Sequence, residues 1–158
     1  MRFQDYISDS IQKATDEAFK AAKAVSEDKL AWSPLDNGRS VLDQLQELAQ
    51  APDYVVGMLS GQSMGEPGPD HWEKLVAERK SWTTIADCER EAKVRIDRLV
   101  DAIKNCPDEN LTNTVWLPYD GGRDFTFMEI MEYPRWNANY HLGQINYIQT
   151  LYGDKEMH

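Results

Sequence analysis

Cysteine and histidine are scarce in this chain, which has two of the first and three of the second among 158 residues. Cys88 and Cys106 both fall on a stretch that reads as one helix. A rise of about 1.5 Å per residue would hold them roughly 27 Å apart. They cannot bridge within one chain, so a disulfide scaffold is excluded and a reducing cytoplasm is expected. Neither cysteine has a histidine near it in sequence or lies near a helix N-terminus, so packing explains both better than nucleophilic chemistry. Long apolar runs are absent too. None approaches the length of a membrane span, and the start MRFQDYISDSIQKATDEAF lacks the apolar core of a signal peptide. Positive charge is in deficit, with 17 Lys and Arg against 27 Asp and Glu, a net charge of −10. That balance argues against nucleic acid and against anionic membrane as partners. Gly61, Gly65 and Gly68 form no phosphate-binding loop, because no strand precedes them. Internal repeats, heptads and low-complexity tracts are missing.

What is present is an ordinary globular composition, 41% hydrophobic, in a length that suits a single domain over 1–158. Residues 3–25 carry Ile7, Ile11, Ala14, Ala18, Ala21, Ala22 and Val25 at helical spacing, with alanines that invite close approach of a neighbour. A loop with turn signals at Ser33-Pro34 and Asn37-Gly38 follows, and Trp32 is expected to pack it onto the core. A second helix is expected over 40–59, capped by Ser40 and bent or split by Pro52. Residues 60–69 read as loop. A third helix runs over 70–105, with Asp70 and Glu73 at its start and a break near Ser81. His71 reads as a surface or capping residue. Residues 111–117 read as extended chain, one arm of a small hairpin turning at Asp120-Gly121-Gly122. A fourth helix starts at the capping box Thr126/Glu129, contains Pro134 and stops at Gly153. The pattern is all-α: a four-helix bundle with a short extended segment before the last helix.

The last helix holds the anomaly. At 100° per residue, Asn137 and His141 point the same way as Ile130, Ile145 and Ile148, into the expected core. An unpaired buried polar group costs roughly 1 to 3 kcal/mol. Their partners must be other side chains, water or a metal.

The run NANYHLGQINYIQTLYG resembles the signature of the DinB-like superfamily, often H-x-x-x-H-x-G-Q-I with a glycine soon after. The fragment WSPLDNGRS at Trp32–Ser40, ahead of an aliphatic helix, is similar to that family's entry into its second helix. The resemblance covers almost the whole chain. It implies an antiparallel four-helix bundle, commonly a homodimer. It also implies a divalent metal (nickel, zinc or manganese) held by three histidines, and in some members transfer of a low-molecular-weight thiol. Here His141 matches one histidine, Asn137 stands for the second and Glu47 for the third. The implied metal set is therefore Glu47, Asn137 and His141. One imidazole, one carboxylate and one amide is a poor set for zinc or nickel. On a helical wheel Glu47 also lies far from the apolar stripe of its own helix. Tyr133, Tyr140 and Gln144 are expected to line a pocket. Two readings stay open: a metal-dependent thiol transferase with a degenerate site, or a metal-free bundle that binds a small ligand or acts through a dimer surface, for example in a stress response. No catalytic residue is assigned.

Overall fold

A computed structural model of the chain describes residues 1–35, 37–61, 70–156 and 158. The described elements are helices α1 (Phe3–Lys23), α2 (Val41–Gln50), α3 (Pro52–Leu59), α4 (His71–Lys80), α5 (Ile85–Lys104) and α6 (Phe127–Leu151), with strands β1 (Thr114–Leu117) and β2 (Arg123–Thr126). The expected second helix is split at Pro52, which opens α3 as its first residue, the position where a missing N–H does least harm. The expected third helix breaks after Lys80. The loop expected over 60–69 lies, from residue 62 on, outside the described residues.

The caps explain most boundaries. Ser40 accepts from Asp43 N at 3.2 Å. Thr84, which drew no attention in the sequence, starts α5 by accepting from Asp87 N at 3.0 Å. Thr126 and Glu129 form the expected capping box on α6. Asp70, by contrast, makes no side-chain cap on α4. Pro134 sits inside α6 without ending it. Gly153 terminates α6 at φ +99°, a left-handed conformation that favours glycine.

Two apolar clusters reveal the helix directions. One joins Ala14–Val25 of α1 and the turn after it to Val41–Ala49 of α2, Cys88 and Ala92 of α5, and Ala138–Ile148 of α6. The other joins Ile7 and Ile11 to Val55 and Met58 of α3, Ile96–Ile103 of α5, and Phe127–Met131 of α6. So α1 and α6 run one way and α2–α3 and α5 the other. This is an antiparallel four-helix bundle in up-down-down-up order, with α4 on the crossover between the two like-directed helices. Ile7, Ile11, Leu45, Leu99 and Ile145 are fully buried, each worth about 1.5 to 3 kcal/mol of transfer free energy. Trp32 packs its loop against this core, edge-on to Tyr152 at 6.0 Å.

The hairpin pairs Thr114 with Thr126 and Leu117 with Arg123. Its turn holds Asp120, Gly121 and Gly122, all at positive φ. Cys88 and Cys106 are buried free thiols, and burial pushes the Cys88 thiol up to about 12. Among the described residues no helix is long and apolar enough to cross a membrane.

Candidate functional site

The last residues of α2 and the middle of α6 meet inside the bundle. Helical spacing puts Gln44 and Glu47 on one side of α2, and Asn137 and His141 one turn apart on α6. His141 is fully buried and Asn137 nearly so. The His141 Nδ1 donates to Gln44 Oε1 at 2.5 Å, an oxygen that can only accept, so this nitrogen carries a proton. Gln44 Nε2 in turn donates to Gln144 Oε1. On the other edge of the ring, Asn137 Nδ2 lies 3.2 Å from His141 Nε2, and Glu47 Oε1 lies 3.6 Å from it. The three residues expected as a set are thus brought together.

Glu47 is half-buried rather than solvated, and the helical wheel misplaced it for a physical reason. The α2 helix packs against α5, α6 and α4, which leaves it no broad wet face. Its polar residues are buried because they bond across: Gln46 Nε2 donates to Trp82 O at 2.8 Å and Gln50 Nε2 to Leu75 O at 2.9 Å.

Arg39 completes the cluster. Its Nη2 lies 2.7 Å from Glu47 Oε2 and its Nε donates to Asp43 Oδ2 at 2.6 Å. The turn before it depends on Gly38, where a Cβ would sit 2.4 Å from Pro34 O. Arg79 Nη1 lies 4.0 Å from the same Glu47 Oε2. Contact with His141 first, then the charge of Arg39, outweigh burial and hold the Glu47 carboxyl down at about 2. Glu47 is therefore an anion at all ordinary pH.

A divalent metal can be tested against this arrangement. Two features suit one. Gln44 fixes the ring as an outer partner fixes a metal-bound histidine, and Asn137 Oδ1 is buried without a hydrogen-bond partner. Three features oppose one. The set offers a single nitrogen donor. The amide of Asn137 presents Nδ2 to His141 Nε2. Two guanidinium groups stand at 2.7 and 4.0 Å from Glu47 Oε2 and repel a dication. The residues present do not fit nickel or zinc. Among the described residues no cluster of three His, Cys, Asp or Glu could hold an ion.

Beside the cluster lies a cavity of about 640 Å³, between α3 and the first half of α6, closed over by α4 and the hairpin. Glu47 is on its wall, as are Arg79 and six aromatic rings: Tyr54, Trp72, Tyr119, Phe125, Tyr133 and Trp136. Of the three residues expected to line a pocket, Tyr133 does so here. Tyr140 and Gln144 instead border a separate groove formed by α6 and the loop at Pro34–Arg39. Arg39, Gln44 and Arg79 were not anticipated. Gln44 was within reach of sequence reasoning, being one turn before Glu47. Arg79, in the run AERK, has the look of a solvated face.

A helical bundle of up-down-down-up order, with a buried polar cluster between its second and last helices and a cavity opening beside it, defines the class of protein. The chain belongs to the DinB superfamily, whose sequence model matches residues 10–145. Its fold is similar to the crystal structure of a DinB-like protein from Bacillus subtilis, with a TM-score of 0.63 and 12% identity over 97% of this chain and 96% of that one. No curated protein matches it.

Proposed function

We propose that this chain is a metal-free DinB-like bundle that binds a small molecule in the cavity between α3, α4, the hairpin and α6. The observation that carries this is the 2.7 Å contact of Arg39 with Glu47. An internal guanidinium supplies the positive charge that a metal would bring to that carboxylate. His141, Asn137, Gln44 and Gln144 then act as a hydrogen-bonded network that joins α2 to α6. The cavity size falls within the range of small-molecule sites, roughly 300 to 1,000 Å³.

The second reading is a metal-dependent transferase of low-molecular-weight thiols. It is favoured by the Gln44-held ring of His141 and the unpartnered Asn137 Oδ1. One measurement separates the two. Untagged protein purified without chelator is analysed for metal before and after incubation with nickel, zinc and manganese. The expected result is no stoichiometric metal and no rise in melting temperature. Near-stoichiometric metal that raises the melting temperature would overturn the first reading in favour of the second.

We also propose a cytoplasmic homodimer. The thiols of Cys88 and Cys106 are buried and unpaired, which suits a reducing compartment. Tyr140, Tyr147 and Leu151 of α6 are each more than 40% exposed along one helix face, an amount of bare aromatic surface that suits a partner. Sedimentation of the wild type is expected to give a dimer, and Tyr147→Glu a monomer. A monomeric wild type at micromolar concentration would sink the dimer.

A further inference from the structure

The charges around the cavity balance in number but not in pairing. Its wall carries three arginines, Arg79, Arg123 and Arg135, and three glutamates, Glu47, Glu129 and Glu132. Arg135 grips Glu132 through Nε and Nη2 at 3.0 and 2.6 Å. Arg123 meets Glu129 at 3.0 Å, and Glu129 is held as well by the cap of α6. Glu47 is already neutralised by Arg39 from behind the wall. Arg79 is left over. Among the described residues its sole ion-pair contact is the 4.0 Å approach of Nη1 to Glu47, its Nη groups make no hydrogen bond, and 23% of its side-chain surface is open. A part-buried guanidinium with unspent donors is an anion site in want of its anion.

The other lining groups suit the same ligand. Tyr54 and Trp72 lean together with ring centroids 6.5 Å apart, and Tyr133 and Trp136 stack at 5.7 Å. These rings offer flat apolar walls to a planar body. Burial pushes the Tyr54 and Tyr133 phenols up. They remain neutral hydroxyl donors, as Arg79 is a donor.

We propose that this cavity binds a small organic acid, an aromatic or otherwise apolar body ending in a carboxylate, with the carboxylate on Arg79 and the body between the tyrosine and tryptophan rings. This rests on reading the cavity as a small-molecule pocket. The probes are naphthoate against naphthamide and phenylbutyrate against phenylbutyramide, titrated calorimetrically into the wild type and Arg79→Gln. Each acid is expected to bind the wild type saturably, about tenfold or more tighter than its amide. Arg79→Gln should bring the acid down to the affinity of the amide and leave the amide unchanged, which also reports an intact pocket. The wild-type comparison of acid with amide needs no variant to fold. Amides that bind the wild type as tightly as acids, or acids that bind Arg79→Gln undiminished, would overturn the carboxylate and leave the pocket standing. No binding by any of the four would overturn both.

Discussion

His141→Ala lowers the unfolding free energy at neutral pH by about 3 kcal/mol, read by urea denaturation. Two effects add. A fully buried ring is removed from the interior, leaving a cavity that packed helices fill only in part. Its partners are also stranded: Gln44 Oε1 loses its donor, and Asn137 and Glu47 lose the ring nitrogen beside them. Glu47 adds a pH signature. Its folded value near 2 lies below its ordinary 4.5, so its contribution to stability is complete above about 4.5 and lost as pH falls toward 2. His141 is the first cause of that depression, so the variant should lose less stability across this acid window than the wild type does. Metal content is measured alongside. Lost stability with no metal in either protein supports the network; lost metal with an intact fold would instead favour the metal-dependent reading. A stability change below about 1 kcal/mol would contradict the network as a structural element.

Arg95→Ala is expected to cost about 2 to 4 kcal/mol, for a different reason. Among the described residues Arg95 is the one buried Lys, Arg, Asp or Glu. It contacts three carboxylates on three helices: Asp53 of α3 at 2.9 Å, Glu78 of α4 at 2.5 Å and Glu91 of its own helix at 2.7 Å. Its guanidinium also lies 4.8 Å over the Trp82 ring. Burial alone would lower its pKa, but Glu91, Asp53 and Glu78 together raise it. Without the arginine, the three acids face one another and α4 loses an anchor. Because those acids are partly exposed, with 40, 46 and 28% of their side-chain surface open, water softens the repulsion and the cost stays below that of a dry triad. The gap between wild type and variant should be widest above pH about 4.5 and shrink on acidification. The wild type loses the pairing as Glu91, which Arg95 holds below its ordinary value, takes up its proton. Equal stability of the two proteins at neutral pH would show this contact to be ornament on the surface.

The chain could be read to different depths in different places. The helix pattern was legible because apolar spacing and capping residues act locally: Ser40, Thr126 with Glu129, and Gly153 do in the structure what their sequence neighbourhoods indicate. Asp70 failed the same rule, and Thr84 satisfied it unnoticed, since a cap is decided by the backbone that reaches it. Asn137 and His141 were legible as buried polar residues because their own helix places them on its apolar face. Glu47 was legible only by resemblance. Its burial comes from the helices packed on both sides of α2, which a wheel drawn for one helix cannot contain.

The sequence by itself therefore determined the bundle, the helix ends at Ser40, Thr126 and Gly153, and a pair of polar residues in its core that demand partners. Tertiary structure alone decided who those partners are. Gln44 accepts a hydrogen bond from the imidazole, and Arg39 pairs with the carboxylate that the resemblance offered to a metal. Among the described residues Arg79 is left on the cavity wall with only a 4.0 Å approach to Glu47. The physical reason is range. Helical periodicity and capping act over a few residues. Charge pairing and desolvation depend on which side chains a fold brings within a few ångströms from distant parts of the chain.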